Sequence, residues 1–229
     1  MTIGEFAQPD TLDHIPGASV QEVATDISLA YNDIDLTRVE DLKERTLQTR
    51  AERIRRVNTK YRRSPDMGRL ASRQRFVPGR GNIRADIMFI GDMPSGVESV
   101  TGLALDGKRQ EVVRHLLNGI DCKEDRVYTT YFLKYRTPNG RSMRYIEIEG
   151  VRHLIFEEIR IISPKVVVSW GRQTLDALIP GTSLYEAHGK DLSIEGIPYI
   201  PMFSPEAVLY NPDAMTDVRK DFQAIHKFV

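Results

Sequence analysis

The chain has 229 residues, with 32 lysines and arginines against 32 aspartates and glutamates, so its formal net charge is zero. That length suits one α/β domain with an extension, or two small domains. The single cysteine, Cys122, excludes a disulfide framework or a cysteine-ligated metal site within one chain, and fits a reducing cytoplasm.

No apolar run approaches the roughly 18–20 residues that a membrane span needs. The N-terminus also lacks the basic-then-apolar layout of a secretory signal. The expected setting is therefore cytoplasmic, with no membrane partner. The neutral total conceals a division: residues 1–42 hold nine acids and one base, whereas residues 43–84 hold twelve arginines, two lysines and three acids. Such a basic stretch is a frequent electrostatic footprint of nucleic-acid binding, and arginine grips phosphate bidentately. The bland alternative is a solvated helix face balanced by the acidic segment before it.

In chain order, prolines and glycine make residues 1–18 a loop, and apolar residues at helical spacing predict a helix over 19–31. Thr37, with Glu40 three residues later, reads as a capping box for a second helix over 38–60, broken by Ser64-Pro65 and Gly68. From residue 85 the pattern changes. Strands are predicted at 87–90, 126–133, 165–170 and 199–203, and helices at 108–118, 146–162, 171–178 and 213–227, with a hairpin turn at 194–198. Alternation of buried strands with helices predicts a three-layer α/β/α fold on a mostly parallel four-stranded sheet. The expected division is a helical, charge-segregated extension over 1–84 and an α/β domain over 85–229.

Three strand ends carry turn residues: Gly91-Asp92-Met93-Pro94-Ser95-Gly96, Thr130-Tyr131-Phe132 and Phe203-Ser204-Pro205. In an open α/β sheet such ends border a crevice. These residues resemble the uracil-DNA glycosylase superfamily, on the side of its thermostable, iron–sulfur branch. Gly91-Asp92-Met93-Pro94-Ser95 resembles the Gly-Glu-Ala-Pro-Gly motif. Val127-Tyr128-Thr129-Thr130-Tyr131 resembles Val-Tyr-Ile-Thr-Asn. Ser163-Pro164-Lys165 through Gly171-Arg172 is similar to Arg-Pro-Lys-Val-Ile-Val-Ala-Leu-Gly-Arg, and Ser204-Pro205-Glu206-Ala207 to the final His-Pro-Ala motif.

The resemblance implies a base pocket formed by Met93, Pro94, Ser95, Leu105, Tyr131 and Ser204. It also implies that the working residues have been exchanged. Leu105 stands for a Phe that stacks on the flipped base, Tyr131 for an Asn that reads its edge, and Ser204 for a His that assists the leaving base. Met93 stands where other branches place an Asp or Asn that handles water. Tyr135 and Val151 fall where two cluster cysteines would lie, so no iron–sulfur cluster or other cofactor is expected.

Cleavage of an N-glycosidic bond needs a flipped base, a group that stabilises the departing anion, and an activated water. Asp92 and Glu98 are the candidate catalytic carboxylates, each with a structural alternative: a turn cap for Asp92 and a solvated side chain for Glu98. Tyr131 either contacts a base or fills the space an Asn keeps open. Candidate DNA contacts are Lys108 and Arg109 at a helix start, Arg53, Arg55 and Arg56 in the basic stretch, and Leu209 as an apolar wedge. Lys134, Arg136, Arg141 and Arg144 surround a polar loop and are further phosphate candidates; His188 is a loop histidine near the last motif. Two functions stay open. One is a DNA-binding, nucleoid-associated protein with a rebuilt pocket that cleaves an altered pyrimidine. The other is a catalytically silent relative that binds DNA or a replication or repair partner.

Overall fold

The computed structural model describes residues 36–71 and 74–229. The helix expected over 19–31 lies outside the described residues. The chain divides into two compact units, residues 1–46 and 47–229. Helix α1 (Leu36–Arg63) begins one residue before Thr37, so that threonine lies inside the first turn rather than ahead of it. From residue 47 onward α1 belongs to the larger unit, where Ile54, Val57 and Tyr61 are buried at helical spacing while Arg53, Arg55 and Arg56 are exposed. Pro65 ends α1 but then opens α2 (Pro65–Ala71), which runs through Gly68. Proline suits a first helical position because its missing N–H would have no partner there.

The sheet has six strands in the order β1-β3-β2-β4-β6-β5. Its centre is the expected four-stranded parallel set: β3 (Val127–Tyr131), β2 (Ile87–Gly91), β4 (Val166–Trp170) and β6 (Ile197–Met202). Two short antiparallel strands flank it, β1 (Arg80–Gly81) on β3 and β5 (Leu192–Ile194) on β6. The β5–β6 hairpin turns through Glu195 and Gly196, both with positive φ, which a two-residue turn matched to strand twist requires.

Strands β2, β3 and β4 are buried along their whole length, as their near-continuous apolar runs demand of a sheet covered on both faces. Alternate residues serve opposite layers. Met88, Ile90, Val167 and Tyr199 pack with α1, α2, α5 (Tyr145–Ile162) and α6 (Arg172–Leu178). Ile87, Phe89, Val168 and Met202 pack with α4 (Lys108–Asn118) and α9 (Met215–Ala224). Arg50 ties α1 to this framework by donating to the carbonyls of Ile83 and Ile162. Three short helices complete the larger unit: α3 (Gly96–Thr101), α7 (Leu184–Ala187) and α8 (Ala207–Tyr210). The helix expected over 213–227 is a 3-10 turn, then α9, then a second 3-10 turn. No helix among the described residues is long and apolar enough to cross a membrane.

Candidate active site

The four parallel strands end at one edge of the sheet, with Gly91 beside Tyr131 and Trp170 beside Met202. Asp92 follows directly from β2 and Ser204 lies two residues after β6, so the three turn-bearing strand ends share that edge. The turn after β2 is fixed from several sides. Met93 N–H donates to Asp92 Oδ1 at 2.8 Å, Thr137 Oγ1 to Met93 Sδ at 3.2 Å, and Arg136 to the Pro94 carbonyl at 3.0 Å. Ser95 then caps α3 in a reciprocal box: its Oγ accepts from Glu98 N–H and its own N–H donates to Glu98 Oε2 at 2.6 Å.

Glu98 is fully buried, and both its oxygens are committed. Oε2 also receives Arg109 Nη1 at 3.0 Å, while Oε1 receives the Tyr131 hydroxyl at 2.5 Å and Asp106 N–H at 3.3 Å. With four donors on two oxygens, the Glu98 carboxylate has no lone pair to spare for water. The resemblance made it a candidate to activate water; the geometry makes it the hub of a buried network.

Tyr131 is the centre of that network. Its side chain is 1% exposed and lies against Gly91, where an added Cβ would come within 2.8 Å of the ring. The hydroxyl also accepts from Arg109 Nη1 and from Leu105 N–H, each at 3.2 Å. Burial drives the phenol pKa upward, and the neighbouring Glu98 acts in the same direction against Arg109. Tyr131 is therefore a neutral donor at any physiological pH. Leu105 has φ 52, a left-handed value uncommon for a bulky residue, and the Tyr131 hydroxyl helps hold it there. Its side chain lines a separate recess of about 80 Å³ with Ala104, Val113 and Thr129.

Arg109, a candidate phosphate contact, is turned inward. It is 8% exposed and paired both with Glu98 and, through Nε at 2.8 Å and Nη2, with Glu206 of the last motif. Burial opposes its charge, but Tyr131, Glu98 and Glu206 together push the guanidinium pKa up, so it stays cationic. Lys108, one residue earlier, is exposed. Lys134 is also withdrawn from the surface, being fully buried with Glu158 at 2.7 Å. Arg141 pairs with Glu147.

Of the two candidate catalytic carboxylates, Asp92 is the one with partial exposure. Its Oδ2 accepts from Gln173 Nε2 at 3.2 Å. Burial pushes its pKa above 3.8, only partly offset by the Met93 amide and Arg109. Ser204 is half-buried; its carbonyl accepts from Ala207 N–H at 2.9 Å and opens the turn into α8. On α8, Leu209 is 42% exposed and Tyr210 87%. Arg53, Arg55 and Arg56 are exposed, and their guanidinium groups have no ion-pair or hydrogen-bond partner among the described residues.

His188, read as a loop histidine, has an orienting partner that spacing did not reveal. Its Nδ1 lies 2.7 Å from Asp221 Oδ1 in α9, while Asp221 Oδ2 accepts from Phe203 N–H at 3.0 Å. The chain does not fit a thiolate-held cluster. Val151 is buried in the core, Tyr135 packs edge-on against Phe76 at 5.3 Å, and Cys122 is buried in the layer under α4. Among the described residues no group of three His, Cys, Asp or Glu side chains is placed to hold a metal ion.

Residues 78–227 match the family model described as the uracil DNA glycosylase superfamily. The chain is 29% identical over 159 residues to a type-4 uracil-DNA glycosylase of Archaeoglobus fulgidus, covering 66% of this chain and 80% of that protein. It is 30% identical over 163 residues to the type-4 enzyme of Saccharolobus solfataricus, covering 67% and 76%. A DNA polymerase of Bacillus phage SP01 is 30% identical over 149 residues, 64% of this chain but 16% of the polymerase. With the family model spanning most of its length and the three motif-bearing strand ends on one edge of the parallel sheet, the chain belongs to the uracil DNA glycosylase superfamily.

Proposed function

We propose that this protein binds DNA through a superfamily scaffold whose base crevice has been rebuilt around Tyr131 and shut, so that it holds DNA without excising uracil. The observation that carries this reading is the enclosed Tyr131 ring, lying on Gly91 with its hydroxyl held by Glu98, Arg109 and Leu105. A flipped base needs a vacant pocket with polar groups facing its edge. Here the ring takes the room and the polar groups satisfy one another. DNA contact falls to exposed groups: Arg53, Arg55 and Arg56 on α1, Lys108 at the start of α4, and Leu209 with Tyr210 on α8. The phage polymerase match supports a place beside replication or repair proteins, because there a segment of this kind is part of a DNA-synthesising chain.

The test is duplex binding by fluorescence anisotropy across a salt series, with strand scission of uracil-containing DNA followed after alkali. Wild type should bind with affinity that falls with salt, reversal of Arg53, Arg55 and Arg56 to Glu should weaken it sharply, and no scission should appear. Salt-insensitive or absent binding overturns the reading.

Asp92 favours a second reading, cleavage of an altered pyrimidine. Burial raises its pKa toward the range of a general base while one side stays open. Water would attack C1′ as the C1′–N bond breaks, its proton passing to Asp92, with Ser204 donating a hydrogen bond to the departing base anion. Tyr131 must then swing out. Scission of hydroxymethyluracil DNA that Asp92→Asn abolishes would establish this reading over the first.

A further inference from the structure

Beside the closed crevice lies an open groove to which none of the roles considered above has been given. Arg172 and Asp176 of α6, Ser183 and Tyr185 at α7, and Phe203 after β6 line it, with a volume of about 550 Å³. That is within the roughly 300–1,000 Å³ of ligand sites. It adjoins the crevice at two points: the side chain of Gln173, next to Arg172, donates to Asp92, and Phe203 precedes Ser204.

The groove is built as a platform. Tyr185 is 81% exposed, and its ring meets Phe203 edge-on at 5.8 Å. Phe203 is held from behind. Its N–H is bound by Asp221, its ring lies 4.4 Å from that of His188, and His188 is fixed by the same carboxylate. Asp221 is itself 1% exposed, so the Phe203 backbone and the His188 ring are fixed before any ligand arrives. Arg172 is exposed, and its guanidinium has no ion-pair or hydrogen-bond partner among the described residues. Asp176, the groove's acid, accepts from Gly181 N–H. An exposed tyrosine face backed by the fixed Phe203, beside an uncommitted guanidinium, is complementary to a flat ring joined to a phosphate.

We propose that this groove takes an unpaired nucleobase of single-stranded DNA, stacked on the face of Tyr185 with its edge toward Phe203 and with Arg172 on the adjoining phosphate. A duplex presents no free base face, so the groove makes the protein prefer an open strand next to the blocked crevice. The inference deepens the DNA-binding reading above and rests on it.

The experiment compares binding of a labelled oligothymidine and of a duplex by the full chain and its variants, with thermal melts as a check on folding. Tyr185→Ala should weaken oligothymidine binding about tenfold, the scale of one lost base–aromatic stack, and leave the duplex unchanged. Tyr185→Phe should restore it, since the ring and not the hydroxyl acts. Arg172→Ala should flatten the single-strand salt slope by about 0.7, one phosphate contact. A Tyr185→Trp protein should lose indole fluorescence on adding oligothymidine. If wild type binds DNA but Tyr185→Ala holds oligothymidine as tightly as wild type, the groove assignment is overturned while the general reading stands. If wild type binds neither strand form, both fall.

Discussion

Strand β3 carries two buried polar networks, one on each face, and their difference separates architecture from site. Tyr128 and Thr130 point to one layer, where Glu158 accepts from both hydroxyls and from Lys134 at 2.7 Å. Tyr131 points to the other, where Glu98 accepts from its hydroxyl and from Arg109. Each network assembles a carboxylate, a cation and a tyrosine. The first is sealed: Lys134 and Glu158 are wholly inaccessible, with the Tyr61 ring 5.2 Å from the ammonium. The second opens at one end, because Arg109 also pairs with Glu206, whose side chain is 35% exposed. A sealed network can only hold the fold together. An open one spans α3, α4, β3 and the last motif, and meets solvent at Glu206.

The sharpest way to break this comparison is Glu158→Gln. It strands a buried ammonium, and denaturant unfolding should lose about 3–5 kcal/mol, with much of that recovered by joining Lys134→Met to Glu158→Leu. A loss below about 1 kcal/mol would mean that water reaches the pair. Glu98→Gln should cost less, about 1–3 kcal/mol, because Arg109 keeps Glu206 while Tyr131 and Asp106 lose a charged acceptor. Equal losses at the two positions would erase the distinction between sealed and open.

The smallest effect is expected at Asp92. Burial raises its folded pKa above the ordinary 3.8, so the native state favours the protonated acid. The linked stability is present below that ordinary value and is lost as pH rises through the raised one. Asp92→Asn should therefore melt slightly higher than wild type near pH 7, with the advantage vanishing in acid below about pH 3.8. A constant offset across pH would show that Asp92 is solvated.

The parallel core was legible because Ile87–Ile90 and Val166–Trp170 are apolar runs too short for helices, and the alternation of strands and helices leaves few topologies. The helix Lys108–Asn118 was legible to the residue. Short α3, α7 and α8 were not, since four to six residues show less than two turns of periodicity. At the site, Ser95 and Glu98 stand three apart in the capping-box pattern, a signal that names Glu98 as a structural acceptor when its position in the motif points to catalysis. No local signal joins Arg109 to Glu206, 97 residues away, or His188 to Asp221, 33 away; only the closed topology brings them together. A cationic side chain at a helix start therefore read as a phosphate contact although it faces inward.

The attachment of α1 has a practical consequence for dissecting the protein. A fragment cut to begin at residue 85 would discard Ile54, Val57, Tyr61, Met67 and Leu70, and leave the outer side of α5 as bare hydrocarbon. It would also release the carbonyl of Ile162 that Arg50 now satisfies. The glycosylase-like body thus owns part of the arginine-rich helix as its own wall, and a soluble minimal version must keep the chain from about residue 47 onward.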